Sequence, residues 1–160
     1  MTTINNRMHQ LEDFTREAVP KIFQELLSME LQIDEPSPLA DEPGGQIIGS
    51  VGFIGEATGI IYLYAPMSFA RQITSTMLGL PEDEVPGDEM VADAIGELTN
   101  MVVGCVKSRL CDGGAPCTLT IPSVVCGRQL TVEAASNVQR RTVGFRTSHQ
   151  RLLAQMLLKD

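Results

Sequence analysis

Between Met90 and Val106 the chain carries a pattern that leaves little freedom in how it folds. Val91, Ile95, Leu98, Val102, Cys105 and Val106 recur at helical spacing and define one apolar stripe. At roughly 100° per residue, Asp93, Glu97 and Asn100 fall together on the opposite side. A long helix with these two stripes must lie flat on a core and show its polar line outward. Gly96 and Gly104 sit on that same line. Each costs a helix about 1 kcal/mol relative to Ala, so bare backbone beside a carboxylate and a carboxamide reads as a face built for close approach.

The rest of the chain alternates helical and β patterns. Leu11, Phe14, Ala18, Ile22, Phe23, Leu26 and Leu27 predict a long first helix, kinked or divided at Pro20. Residues 34–45 hold three prolines, two glycines and four acids and predict a loop. Gln46–Ile54 and Thr58–Ala65 predict an antiparallel hairpin. Pro66 is expected as the first residue of a second helix ending near Leu78, and residues 79–87 form an acidic connection into the motif helix, Asp88–Leu110. Beyond the Asp112–Pro116 loop, short strands are expected at Cys117–Ile121, Ser123–Cys126 and Leu130–Glu133, then a closing hairpin of Arg140–Thr147 and Arg151–Leu158. The last run has helical propensity as well; its short link to a clear strand favours a strand. The expected fold is α+β, a single domain over residues 1–160, with a mainly antiparallel sheet packed against long helices.

Several function classes drop out. A net charge of −8 opposes nucleic-acid binding, which needs a basic face. No apolar run reaches the length of a membrane span, and no secretory signal opens the chain, so a cytoplasmic protein is expected. Cys105, Cys111, Cys117 and Cys126 lack zinc-type spacing and read as free thiols, Cys105 in the core and Cys111 and Cys117 flanking one loop. His9 and His149 have no acid or cysteine cluster beside them, so no metal site is expected. Gly49, Gly52, Gly55 and Gly59 run through a strand pair and open no helix, which fails the test for a phosphate loop. Glu82, Asp83, Glu84, Asp88 and Glu89 fit a solvated loop and an acidic helix start better than a cation site.

Asp93, Glu97 and Asn100, followed twenty-one residues later by Pro122, form a pattern that resembles the CheC/CheX/FliY family of chemotaxis phosphatases. The likeness runs through residues 88–104, extends upstream over the strand pair and following helix, and downstream through Ile121–Gly127 and the final strands. Family members with two sites carry a second Glu–Asn pair on the first helix. Here Glu17 is present but Pro20 occupies the place of the carboxamide, so the chain is most similar to the single-site, CheX-like branch.

The resemblance implies a phosphatase acting on the aspartyl phosphate of a CheY-type receiver. Mg²⁺ would be held by that receiver and no cofactor bound by this chain. It implies Asn100 as the group that orients the attacking water and Glu97 as the partner of the receiver's lysine. Asp93, Gly96 and Gly104 would contribute to docking, and Pro122 to the shape of the fold. It further implies a homodimer formed through sheet extension. The alternative is a non-catalytic receiver-binding or flagellar-switch-type adaptor of the same fold.

Overall fold

A computed structural model of the chain describes residues 2–85 and 87–159. The elements are α1 (Thr2–Leu27), β1 (Gln32–Asp34), β2 (Gln46–Gly55), β3 (Gly59–Pro66), α2 (Met67–Leu78), α3 (Gly87–Asp112), β4 (Cys117–Leu119), β5 (Ser123–Gly127), β6 (Val138–Arg146) and β7 (Arg151–Lys159). A single 3₁₀ turn, Glu82–Glu84, interrupts the acidic connection. Every strand pair is antiparallel, in the order β1-β6-β7-β3-β2. The far side of β2 is shared by β5, along Gln46–Ser50, and β4, along Phe53–Gly55.

Strand alternation divides the sheet into two faces. Ile47, Val51, Ile61, Leu63, Leu152, Ala154 and Met156 point to one side, where they join Leu11, Phe23, Phe69, Ile73, Leu98 and Val102 of the helices in the main core. Ile48, Tyr64 and Leu153 point to the other and form a small separate cluster with Leu39, Tyr62, Leu130 and Val132. Burial lifts the Tyr64 phenol above its ordinary value of 10.0, so it stays protonated and donates to Gln155 Oε1 at 2.9 Å. Thr15, Thr74 and Thr99 lie in the main core, each satisfied by donating to the carbonyl four residues earlier.

The pattern of elements follows the sequence, with five differences. Pro20 lies within one continuous helix, which absorbs the loss of a single backbone donor because its flanking turns are anchored by Ala18, Val19 and Phe23. Pro66 caps α2 in extended conformation instead of opening it, and Gly79 closes that helix in the left-handed region at φ 67°. Gln32–Asp34 forms a three-residue strand, created by the open edge of β6. Leu130–Glu133 forms no strand, since Leu130 and Val132 cover the Tyr64 cluster as irregular chain. β4 stops at Leu119, and Thr120 beyond it stays hydrogen-bonded to Gly52 of β2.

All four cysteines are free; Cys105 is half-buried at the edge of the core. Burial raises the Cys117 thiol, with the neighbouring Cys111 adding to the shift. Among the described residues no helix is long and apolar enough to cross a membrane.

Candidate functional site

α3 lies on β2, and one missing side chain sets how closely. A Cβ at Gly49 would collide with Thr99 Oγ1 and come within 3.1 Å of Ile95 Cγ2. Thr99 and Ile95 therefore seat directly on bare strand backbone. With Val91, Ile95, Leu98, Val102 and Val106 buried, the geometry of the helix turns Asp93, Glu97 and Asn100 to solvent, and all three are exposed. None of their side chains has a hydrogen-bond or ion-pair partner among the described residues. Carboxylate and carboxamide are thus held on a rigid element with their bonding capacity free for another molecule.

Pro122 reaches the site from the link between β4 and β5. Thr120 pins that link to β2: its N–H donates to the Gly52 carbonyl at 2.9 Å, and Gly52 N–H donates to Thr120 Oγ1 at 2.9 Å. The result is an open groove of about 340 Å³ lined by Asp93, Gly96, Glu97, Asn100, Pro122 and Val124. Four residues that are adjacent only as a spaced pattern in the chain are brought together in space.

The two glycines of the stripe differ. Gly96 is buried, and a Cβ there would meet Val124 at 3.4 Å and Pro122 at 3.7 Å, so its bareness first admits the chain's own β5 segment. Gly104 faces open space, with nothing within 4 Å of a built Cβ. The matching face of α1 is occupied: Glu17 accepts from Arg109 at 2.6 Å, and the Arg109 guanidinium stands 5.3 Å from the Phe14 ring centre. Glu17 is therefore part of an α1–α3 contact.

Sequence reasoning missed exposed apolar residues that neighbour the groove residues along the chain. Ile121, immediately before Pro122, is 85% exposed, and Met90 and Met101 are exposed beside the acidic stripe. An apolar β-branched residue in a polar link was the available signal. Among the described residues no group of His, Cys, Asp and Glu is arranged to hold a metal.

Comparison with known proteins matches residues 47–146 to the family described as chemotaxis phosphatase CheX. The CheY-P phosphatase CheX of Thermotoga maritima is 27% identical over 119 residues, 73% of this chain and 76% of that protein. A CheC-like superfamily protein from Shewanella sp. PV-4 superposes with a TM-score of 0.80 at 25% identity, over 94% of this chain and 98% of that one. CheX in the CheX–CheY–BeF₃–Mg²⁺ complex of Borrelia burgdorferi shares the fold with a TM-score of 0.77 at 18% identity, over 92% of this chain and 97% of that one. The matched stretch holds the strand pair, α2, the whole of α3 and Pro122, and on that evidence this chain belongs to the chemotaxis phosphatase CheX family.

Proposed function

We propose that the chain accelerates hydrolysis of the aspartyl phosphate on a CheY-type receiver domain, with Asn100 and Glu97 as the working pair. The observation that carries this reading is the unpartnered Glu97–Asn100 pair on the exposed face of a rigid helix, in an open groove. Phosphoryl transfer asks little covalent chemistry of a protein and much positioning. The Asn100 carboxamide can accept from a water and donate to a phosphoryl oxygen, holding the nucleophile in line. Glu97 is an anion four residues after Asp93, suited to pair with a receiver lysine as the contact dries. Mg²⁺ belongs to the receiver, as the relative's complex with CheY and Mg²⁺ supports. Asp93 and Gly104 lie where a docked partner would pass, while Gly96 and Pro122 shape the groove. A receiver phosphorylated inside the cell sets a cytoplasmic site of action.

We further infer a homodimer by sheet extension. Among the described residues β5 pairs with no strand but β2, and β6 pairs with β1 only along Gly144–Arg146, so strand edges remain on both sides of the sheet.

The test is single-turnover loss of phosphate from a phosphorylated CheY-type receiver in Mg²⁺. Asn100→Ala is expected to keep the fold and receiver binding and to lose about 100-fold or more of the acceleration. Acceleration that survives in Asn100→Ala would remove that residue from the mechanism. Binding without acceleration in the unmodified protein would make the chain an adaptor.

A further inference from the structure

The sheet face turned away from the helices, remote from the Glu97–Asn100 groove, carries a cavity of about 450 Å³. That size is within the roughly 300–1,000 Å³ range of small-molecule sites. Tyr64 and Leu153 form its floor, and Leu39, Leu130 and Val132 its apolar walls.

Its polar groups are the informative part. Gln46 is 7% exposed, yet its carboxamide has no hydrogen-bond partner among the described residues. The residue is buried but its amide atoms open onto the cavity, where they can bond a ligand. Gln155 is 9% exposed; its oxygen accepts from Tyr64, and its amide nitrogen has no acceptor among the described residues. Arg140 donates to the neutral carbonyl of Val132 at 3.0 Å, and no carboxylate lies within ion-pair distance of it. In a chain of net charge −8, an arginine left without an acid at the mouth of an apolar cavity is notable for its sign.

Strand register orders these groups. Thr142 is directly opposite Gln155, and Arg140 is two residues along the same strand, so Arg140, Thr142 and Gln155 cluster at one end. Gln46 is on β2, three strand spacings (about 14 Å) across from β6 and four residues (about 13 Å) along from the Thr142–Gln155 register line, at the other end. The Arg140 end offers hydrogen-bond donors in excess of acceptors; Gln46 offers a carboxamide that can do both, and Asp41, which also lines the cavity, has its carboxylate paired with Arg128.

We propose that this cavity binds a small organic acid. Its carboxylate meets Arg140 and the Gln155 amide, its apolar body lies on Tyr64 and Leu153, and a hydroxyl or carbonyl at its far end bonds Gln46. The fixed Tyr64–Gln155 hydrogen bond presents the Gln155 nitrogen in one orientation. Neutral apolar ligands would leave the donors unmatched, and an inorganic anion would leave the apolar floor bare.

The experiment is calorimetric titration of the full chain with 3-(4-hydroxyphenyl)propionate. Two comparison compounds accompany it: 3-phenylpropionate, which lacks the far hydroxyl, and 3-(4-hydroxyphenyl)propan-1-ol, which lacks the anion. The hydroxylated acid is expected to bind best, with the alcohol weaker by about 10-fold, as the loss of a charge-assisted bond implies. Arg140→Gln should abolish the preference for acid over alcohol, and Gln46→Met the preference for the far hydroxyl, with melting temperatures checking that both variants fold. No binding of the acid, equal binding of all three compounds, or an acid preference that persists in Arg140→Gln overturns the proposal. Phosphatase activity does not enter the readout, so this site and the Glu97–Asn100 groove fail or stand separately.

Discussion

Ile121 shows how much one residue can disclose. It is 85% exposed, yet it is held between a threonine pinned to β2 and a proline of fixed φ. An exposed apolar side chain on a fixed segment next to Pro122 loses little freedom when covered, so docking that covers it gains most of its burial energy, about 1.5–3 kcal/mol. Ile121→Ser is expected to raise KM for the phosphorylated receiver by roughly 10-fold or more and leave kcat nearly unchanged, because the residue is beside the chemistry and not in it. Steady-state kinetics at two salt concentrations separate it from Glu97→Gln. The Glu97 change should remove part of the salt dependence of KM, whereas the Ile121 change should not. A fall in kcat for Ile121→Ser would show that the residue does more than dock.

Two elements depend on contacts that neither element encodes alone. α3 owes its seat to Gly49, so Gly49→Ala should force Thr99 and Ile95 away and lift the motif helix from the sheet. Overpacking of this kind costs about 1–3 kcal/mol, readable as a lower denaturant midpoint with unchanged slope, and it should lower activity without touching a site residue. β1 is held by a different device. Arg151 donates to Asp34 Oδ2 at 2.9 Å and to the carbonyls of Glu35, Ser37 and Pro38, gathering the strand and the loop behind it. A backbone hydrogen bond from Glu35 is the largest influence lowering the Asp34 carboxyl below 3.8, followed by the bond from Arg151. A depressed carboxyl contributes stability above its unfolded value and loses it as pH falls through the folded one. Wild type should therefore lose this contribution only below about pH 3.8, and Asp34→Asn should be less stable above it and converge with wild type in acid. Parallel melting curves from pH 7 to pH 2 check the convergence, and a constant gap would rule it out.

At the scale of the molecule, the homodimer inferred above predicts that sedimentation equilibrium gives twice the 17.4 kDa chain mass. A single-chain mass at micromolar concentration would leave the edges to another partner. What could be read along the chain was whatever neighbouring residues decide between themselves. The 3.6 period of α3, its outward polar line, the Gln46–Ala65 hairpin and the strand nature of Arg151–Leu158 are local consequences of polarity and backbone hydrogen bonding. The spacing of Asp93, Glu97, Asn100 and Pro122 was legible too, through family resemblance, although spacing alone does not bring Pro122 beside Asn100. Only the tertiary structure decided that Thr120 carries Pro122 to the groove, that Gly96 is filled by Val124, and that Glu17 is tied to Arg109. It alone made a strand of Gln32–Asp34, denied one to Leu130–Glu133, and left Gln46 unpartnered above a cavity. Those outcomes depend on register and packing between segments far apart in the chain, where the energy of a contact exists only once the sheet has assembled.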